Sequence, residues 1–427
     1  MRRLKVLISA YACEPGKGSE PGVGWNVARE MSRHHDVWVL TRANNRPAIE
    51  AALAEEDHPG PAFVYLDLPG WARWWKRGQR GVHAYYYLWQ ILAYFTARGL
   101  HREVGFDLVH HVTFVKYWAP SFLALLPIPF LWGPVGGGES TPAGFWRDLG
   151  FRGMAYEVTR VLARWLAEKD PLVRLTARRN QVALATTEAT AERLRRLGAR
   201  KVSVLGLSAL SSGDIARLSN CDRVDSRSVR FISVGRLLHL KAFHLSLRAF
   251  ADANLDGVEY VLIGGGPERR RLERLAGRLG VANRVRFLGQ MPREEALAHV
   301  CASDVLVHPS LHESGGWVCV EAMAAGKPVV CADLGGPAIQ VTCETGFKLP
   351  ARTSRQLVYD LAGAMRRLAQ DDVLRKSMGR AARMRVLESF SWGGRAEKLL
   401  ELYERVAAAP ISAKSGADSL PHSHVVS

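Results

Sequence analysis

Val305-Leu306-Val307-His308-Pro309-Ser310-Leu311-His312-Glu313-Ser314-Gly315-Gly316-Trp317-Val318-Cys319-Val320-Glu321-Ala322-Met323-Ala324-Ala325-Gly326-Lys327-Pro328-Val329-Val330-Cys331 contains one complete parallel unit. The β-branched run 305–307 reads as a buried strand, the segment after Gly316 as an apolar helix, and 328–331 as the next strand. Strand, helix, parallel strand is the grammar of α/β proteins. Toward the N-terminus the same rhythm recurs at 229–234, 260–263 and 285–288, with helical patterns at 242–253 and 268–279. An earlier series at 4–9, 37–41, 63–66, 108–111, 129–132 and 182–185 has the same form. The expected fold is therefore two doubly wound, Rossmann-like domains in tandem. The first is expected over 1–207 and the second over 228–388. Between them, 208–227 is polar without a periodic apolar face and is expected to be the linker. After Leu349 the pattern is helical, and a last helix within 389–409 has no strand of its own to cover. The small polar stretch 411–427 is expected to be disordered.

With 427 residues, 48% of them hydrophobic, the chain can build ordinary cores, which excludes disorder as its main state. Its net charge is +17, shared as +9 over 1–200 and +8 over 201–427, so no basic tail explains it and an anionic partner is expected. The six cysteines form no CxxC pair and read as reduced thiols. The apolar run 6–12 is too short for a signal-peptide core, and four prolines break the uncharged stretch 117–138. A cytoplasmic protein is the expectation.

In open parallel sheets ligands sit beyond the carboxyl ends of the strands, so chemistry should lie in the loops that follow them. The loop after the first strand contains Gly16, Lys17 and Gly18 ahead of a helix, where exposed amides favour an anion. A second glycine loop, Gly133-Pro134-Val135-Gly136-Gly137-Gly138, faces the same edge. In the second domain Arg236 offers a planar fork and Lys241 a point charge, a pair suited to a diphosphate. Gly265, within a glycine triplet, permits close backbone approach. Glu313 follows a strand, Ser314, Gly315 and Gly316 can present free amides, and Glu321 lies eight residues beyond Glu313 inside the coming helix. Amides would hold phosphate, and the carboxylates would accept hydroxyl hydrogen bonds.

Arg236 with Lys241, the Glu313 to Glu321 spacing, Gly326-Lys327-Pro328-Val329-Val330 and Leu334-Gly335-Gly336 resemble the retaining glycosyltransferases of family 4. The loop at Gly16 to Gly18 resembles the family's first glycine loop, and Phe390-Ser391-Trp392 the start of its final helix. The resemblance implies the GT-B fold, two domains facing each other across a cleft, with the final helix crossing back to the first. It implies that Arg236 and Lys241 bind the diphosphate of a UDP- or GDP-linked sugar and Glu321 the ribose. Glu313 with Ser314, Gly315 and Gly316 would hold the transferred sugar, and Gly18 and Gly265 would approach the donor. Gly16, Lys17, Gly136 and Gly137 fall on the acceptor side. No DxD triplet occurs, so neither a metal nor another cofactor is expected. Many relatives carry a His after the fifth strand of the first domain, where this chain has Gly133-Pro134. His111, beside His110 at the end of the fourth strand, is the catalytic candidate for that place, with a structural role for the pair as the alternative.

Ten of the twelve Trp precede residue 166, and no acidic residue lies between Asp67 and Glu103. From Trp71 to Arg98 amphipathic aromatics mix with Arg73, Lys76, Arg77, Arg80 and Arg98, a composition suited to an anionic membrane surface. Aromatics at 85–95 as plain core are the competing reading. No RNA-binding or zinc signature supports nucleic acid. A peripheral enzyme acting on a saccharide or lipid-linked acceptor, in envelope or exopolysaccharide synthesis on the inner face of the cytoplasmic membrane, is the expected function. A sugar-nucleotide epimerase of the same fold and a nucleotide-sugar-binding protein without turnover are the alternatives.

Overall fold

A computed structural model describes residues 2–55, 60–73, 75, 81–221 and 228–408. The first domain is a seven-stranded sheet: β1 Lys5–Ala10, β2 Asp36–Arg42, β3 Ala62–Leu66, β4 Leu108–Thr113, β5 Phe130–Val135, β6 Val182–Ala185 and β7 Val202–Val204. Its order is β3-β2-β1-β4-β5-β6-β7, and every pairing is parallel. The second is a six-stranded parallel sheet of β8 Arg230–Val234, β9 Glu259–Ile263, β10 Val285–Gly289, β11 Val305–His308, β12 Val329–Ala332 and β13 Gly346–Leu349, in the order β10-β9-β8-β11-β12-β13. Central strands such as β4, β5, β11 and β12 are buried on both faces, which is why they read as continuous apolar runs rather than alternating ones. The direction of strand order reverses between β1 and β4 and between β8 and β11. These two switch points open the crevices in which such sheets bind ligands.

The helix Trp392–Ala407 ends the described chain and packs on the first domain. Trp392, Leu399, Leu400 and Tyr403 share a core with Val6, Ile8 and Val39. Each such side chain contributes about 1.5–3 kcal/mol by burial. At the boundary Leu210 and Ser391 form a parallel bridge, in which Leu210 N–H donates to Phe390 O at 2.8 Å and Trp392 N–H to Leu210 O at 3.0 Å.

Three expectations change. The segment expected as a featureless linker contains the helix Ser212–Ser219, capped by the Ser211 hydroxyl, with Ile215 and Leu218 buried in the second domain's core. Two apolar positions in eight residues are too few to register as periodicity. Gly133 and Pro134 belong to β5 rather than to the loop after it, with a cis peptide bond between them. Cys221 and Cys301 form a disulfide, with Cα atoms 5.4 Å apart, although 80 positions separate them in sequence. Tertiary folding, not motif spacing, brings them together. Residues 222–227 and 411–427 lie outside the described residues.

Candidate active site

The loops after β8 and β11 meet at the second switch point. Leu311 N–H donates to Leu240 O at 2.9 Å, which sets Lys241 beside Glu313. The Lys241 ammonium donates to Glu313 Oε2, while Gly316 N–H donates to Oε1 at 3.2 Å and His308 Nε2 lies 3.4 Å from Oε2. Burial pushes the Glu313 carboxyl up, but Lys241 and His308 outweigh it and hold the group well below the usual carboxylate range. The loop is clamped from beneath, since Gly336 N–H donates to Glu313 O at 2.8 Å. Gly335 has φ +61, and a Cβ there would lie 1.9 Å from Glu313 O, so only glycine fits. Pro337, two residues after Gly335, packs against Gly316. The Gly315 carbonyl accepts from Ser208 Oγ at 2.7 Å and from the Gln340 amide. Among the described residues no acceptor is found for the Ser314 and Gly315 amides. Free N–H groups beside a fixed carboxylate suit a ligand that carries both phosphate and hydroxyls.

Arg236 is exposed at the end of β8 and has no carboxylate partner among the described residues, in contrast to Lys241. Glu321, in the helix Trp317–Ala324, is buried, and its Oε1 accepts from Arg293 at 2.8 and 3.0 Å. Burial raises its pKa against the pull of Arg293. Arg293 also reaches Asp214 at 3.3 Å, and its Nε would lie 3.8 Å from a Cβ on Gly18, the residue preceding the first domain's helix Ser19–Ser32. The glycine loop thus faces the carboxylate expected to hold ribose. Gly265 carries the carbonyl that accepts from Leu237 N–H, which fixes the start of the Arg236 loop.

Residues from both domains line a cavity of about 410 Å³, among them Lys116, Gly136, Gly137, Arg160, His312 and Ser314. Glu139, which the sequence reading missed, joins its walls. Its Oε2 accepts from Ser314 Oγ of the second domain at 2.7 Å and from Gly137 N–H at 3.1 Å. Its Oε1 accepts from the hydroxyls of Thr187 at 2.6 Å and Thr190 at 3.2 Å. Arg160 was also missed: its guanidinium donates to the His312 ring at 2.9 Å and to Glu139 O. Burial, reinforced by Arg160, lowers the His312 pKa to about 4, so the ring is neutral at pH 7 and accepts that bond. Arg160 lies within a helix with no local signal, whereas Glu139 directly follows the Gly136-Gly137-Gly138 run, a position next to the glycine loop that the sequence reading passed over.

The acceptor-side expectations divide. Gly136 and Gly137 line the cavity, whereas Gly16 and Lys17 are exposed, with Lys17 3.6 Å from Glu14, and do not line it. His111 is not brought to the cleft either. It is fully buried within β4, and burial pushes its pKa down to about 3. His110 is structural: Nδ1 lies 2.7 Å from the Tyr403 hydroxyl and Nε2 2.6 Å from Gly133 O, which ties the crossing helix to β5. A central strand covered on both faces leaves neither ring a path to a ligand. Among the described residues no group of three or more His, Cys, Asp or Glu could hold a metal ion, and no helix is long and apolar enough to cross a membrane.

Two facing parallel-sheet domains, with ligand loops at both switch points and a final helix returned to the first domain, define the GT-B class of glycosyltransferase folds. Comparison with known proteins extends this to a family. A model described as "Glycosyl transferases group 1" matches residues 221–385, and one described as "Glycosyl transferase 4-like domain" matches 18–207. The chain belongs to the group 1, family 4 glycosyltransferases. A D-inositol 3-phosphate glycosyltransferase of Corynebacterium jeikeium is 39% identical over 41% of this chain and 43% of its own length, so the match spans less than half of that relative. One from Streptomyces avermitilis is 28% identical over 94% of this chain and 87% of its own length. The solved structure of Anabaena HepE in complex with UDP and glucose superposes with a TM-score of 0.59 at 20% identity, covering 94% of this chain and 100% of that one, which bears on the fold.

Proposed function

We propose that the protein is a retaining, metal-independent glycosyltransferase that moves a hexosyl or pentosyl group from a UDP- or GDP-linked sugar to a saccharide or lipid-linked acceptor. The observation that carries this reading is the Lys241–Glu313 pair with the free Ser314 and Gly315 amides beside it, at the edge of the cavity that Ser314 lines. Arg236 and Lys241 neutralise the charge that grows on the leaving diphosphate. Glu313 orients the sugar hydroxyls, and Glu321 accepts from ribose, sharing its carboxylate with Arg293. The leaving diphosphate stays on one face of the anomeric carbon and assists the incoming hydroxyl there, while the protein supplies position and charge. UDP in the HepE structure favours a uridine donor, and the phosphate in the name of the inositol relatives favours an acceptor that carries an anion. Lys116 in the cavity wall, 2.8 Å from His83, suits such a group. Envelope or exopolysaccharide synthesis at the cytoplasmic side of the membrane is the setting we assign.

The test is a panel of nucleotide-sugars scored by thermal shift, followed by release of free nucleoside diphosphate with and without acceptor. A donor at 100 times its dissociation constant stabilises by about 2.7 kcal/mol. Diphosphate release that depends on acceptor supports transfer. Isomerisation of the donor with no acceptor would establish the epimerase instead, and normal turnover by the Arg236→Ala, Lys241→Ala double variant would remove these residues from the mechanism.

A further inference from the structure

The helix Gly150–Ala167 is inside out. Its inward stripe is Gly153, Glu157, Arg160 and Arg164, spaced by four, three and four residues along one face; Glu157 is 1% and Arg164 3% exposed. Most of its remaining described surface is apolar and open to solvent: Phe151 is 88% exposed, Leu162 54% and Trp165 53%, with Met154, Val158, Val161 and Leu166 also exposed beside Thr159. Burial by the protein's own core does not explain this pattern, because the core side receives the charges. Those charges bridge the cleft. Arg160 reaches His312 of the second domain, and Arg164 donates to Glu139 O at 3.1 Å and Ser140 Oγ at 2.8 Å in the first. The helix therefore caps the cavity with its polar side and presents an apolar back about 27 Å long.

We propose that this back is a membrane-docking surface which lies on an anionic bilayer and sets the cavity beside an acceptor anchored there. Charge selects the occupant. Within the helix the only acidic residue is Glu157, which faces inward, and the chain carries +17 overall, so a second copy is repelled while anionic headgroups are attracted. Lys169 lies 5.5 Å from the Trp165 ring, pairing an interfacial aromatic with a cation. A second exposed apolar face lies on the same domain. Tyr87 hydrogen-bonds to Asp170, three residues beyond the helix, and the helix Val82–Val104 that carries Tyr87 exposes Leu88, Ile91 and Phe95 with Arg98 on one face. The expected membrane stretch is thereby corrected in part. Tyr85, Tyr86 and Trp89 are core, Trp71 is exposed, and Trp74, Lys76, Arg77 and Arg80 lie outside the described residues.

The proposal rests on the lipid-linked acceptor of the reading above, and its test is independent of turnover. The full chain is sedimented at low salt with vesicles of phosphatidylcholine containing phosphatidylglycerol and with vesicles of phosphatidylcholine alone, without donor or acceptor. Binding at least tenfold stronger to the anionic vesicles, lost at least tenfold in Leu162→Glu with Trp165→Glu, is the expected result. Both positions are more than half exposed and outside the donor site, so nucleotide-sugar binding by thermal shift should be unchanged. Absence of binding to anionic vesicles, equal binding by the double variant, or a dimer that the double variant dissociates with no vesicle binding would overturn the docking and leave the transferase reading standing. Loss of donor binding in the unmodified chain would overturn the transferase reading and leave the docking standing.

Discussion

Replacing Lys241 by Met removes the only cation that hydrogen-bonds directly to Glu313 among the described residues, and the structure sets the size of the effect. The two side chains are 20% and 17% exposed. A surface pair contributes at most about 1 kcal/mol and a fully buried pair costs about 3–5 kcal/mol when broken, so about 2–3 kcal/mol of coupling is expected here. The loss arises because Glu313 keeps its buried position and its bond from Gly316 N–H but loses its counter-charge. Lys241→Met alone should be destabilised, Glu313→Gln alone less so, and the double variant should recover most of the coupling, because no unpaired charge then remains. The measurement is urea unfolding followed by circular dichroism on the four proteins of the cycle. Activity should behave differently. All three variants lose donor turnover by about a hundredfold or more, roughly 3 kcal/mol of transition-state stabilisation, because each lacks either the cation at the diphosphate or the carboxylate that orients the sugar, and restored stability returns neither. Strict additivity in the unfolding cycle, or a double variant with normal turnover, would refute the assignment.

Acid should loosen the attachment of the last helix. Burial lowers the His110 pKa from 6.5 to about 4, so the unfolded chain takes up the proton first; the contribution is complete above pH 6.5 and is lost as pH falls to 4, about 3 kcal/mol in all, with urea midpoints expected to show a flatter pH slope in His110→Asn. Glu139→Ala strips acceptors from Ser314, Thr187, Thr190 and Gly137 N–H, and should cost about 3 kcal/mol in urea unfolding, against about 1 kcal/mol for Ser314→Ala, which removes a single donor.

Two tandem parallel sheets were legible because buried strands carry an unambiguous apolar run: 229–234, 260–263 and 305–307 all fall on observed strands within one or two residues. The edge strands β7 and β13 escaped, being three or four residues long and only partly buried. The donor half of the candidate site was legible too, since Arg236, Lys241, Glu313 and Glu321 belong to one domain and sit at fixed spacing around one switch point. The other half was not. Glu139, Arg160 and His312 come together from the loop after β5, an intervening helix and the loop after β11, and a wall assembled across a cleft leaves no single local spacing to read. The aromatic stretch at 85–95 shows the same limit, because helical periodicity marks a covered face without saying what covers it. Cys221 and Cys301 repeat the lesson at long range.

The bridge between Leu210 and Ser391 constrains how the two halves of the molecule can move. Their chain crosses from one sheet to the other twice, and both crossings lie side by side, stitched by backbone hydrogen bonds to Leu210 and steadied by Arg395, which donates to Ser208 O at 2.8 Å. Two independent tethers would permit shear, wobble and separation. A stitched pair acts as one pin, so relative motion reduces to swing and twist about a single line near one end of the cleft. Because Ser208, two residues from Leu210, donates to Gly315 O at 2.7 Å, the contact between Glu139 and Ser314 sits close to that pin and moves least, while points farther along the cleft swing widest.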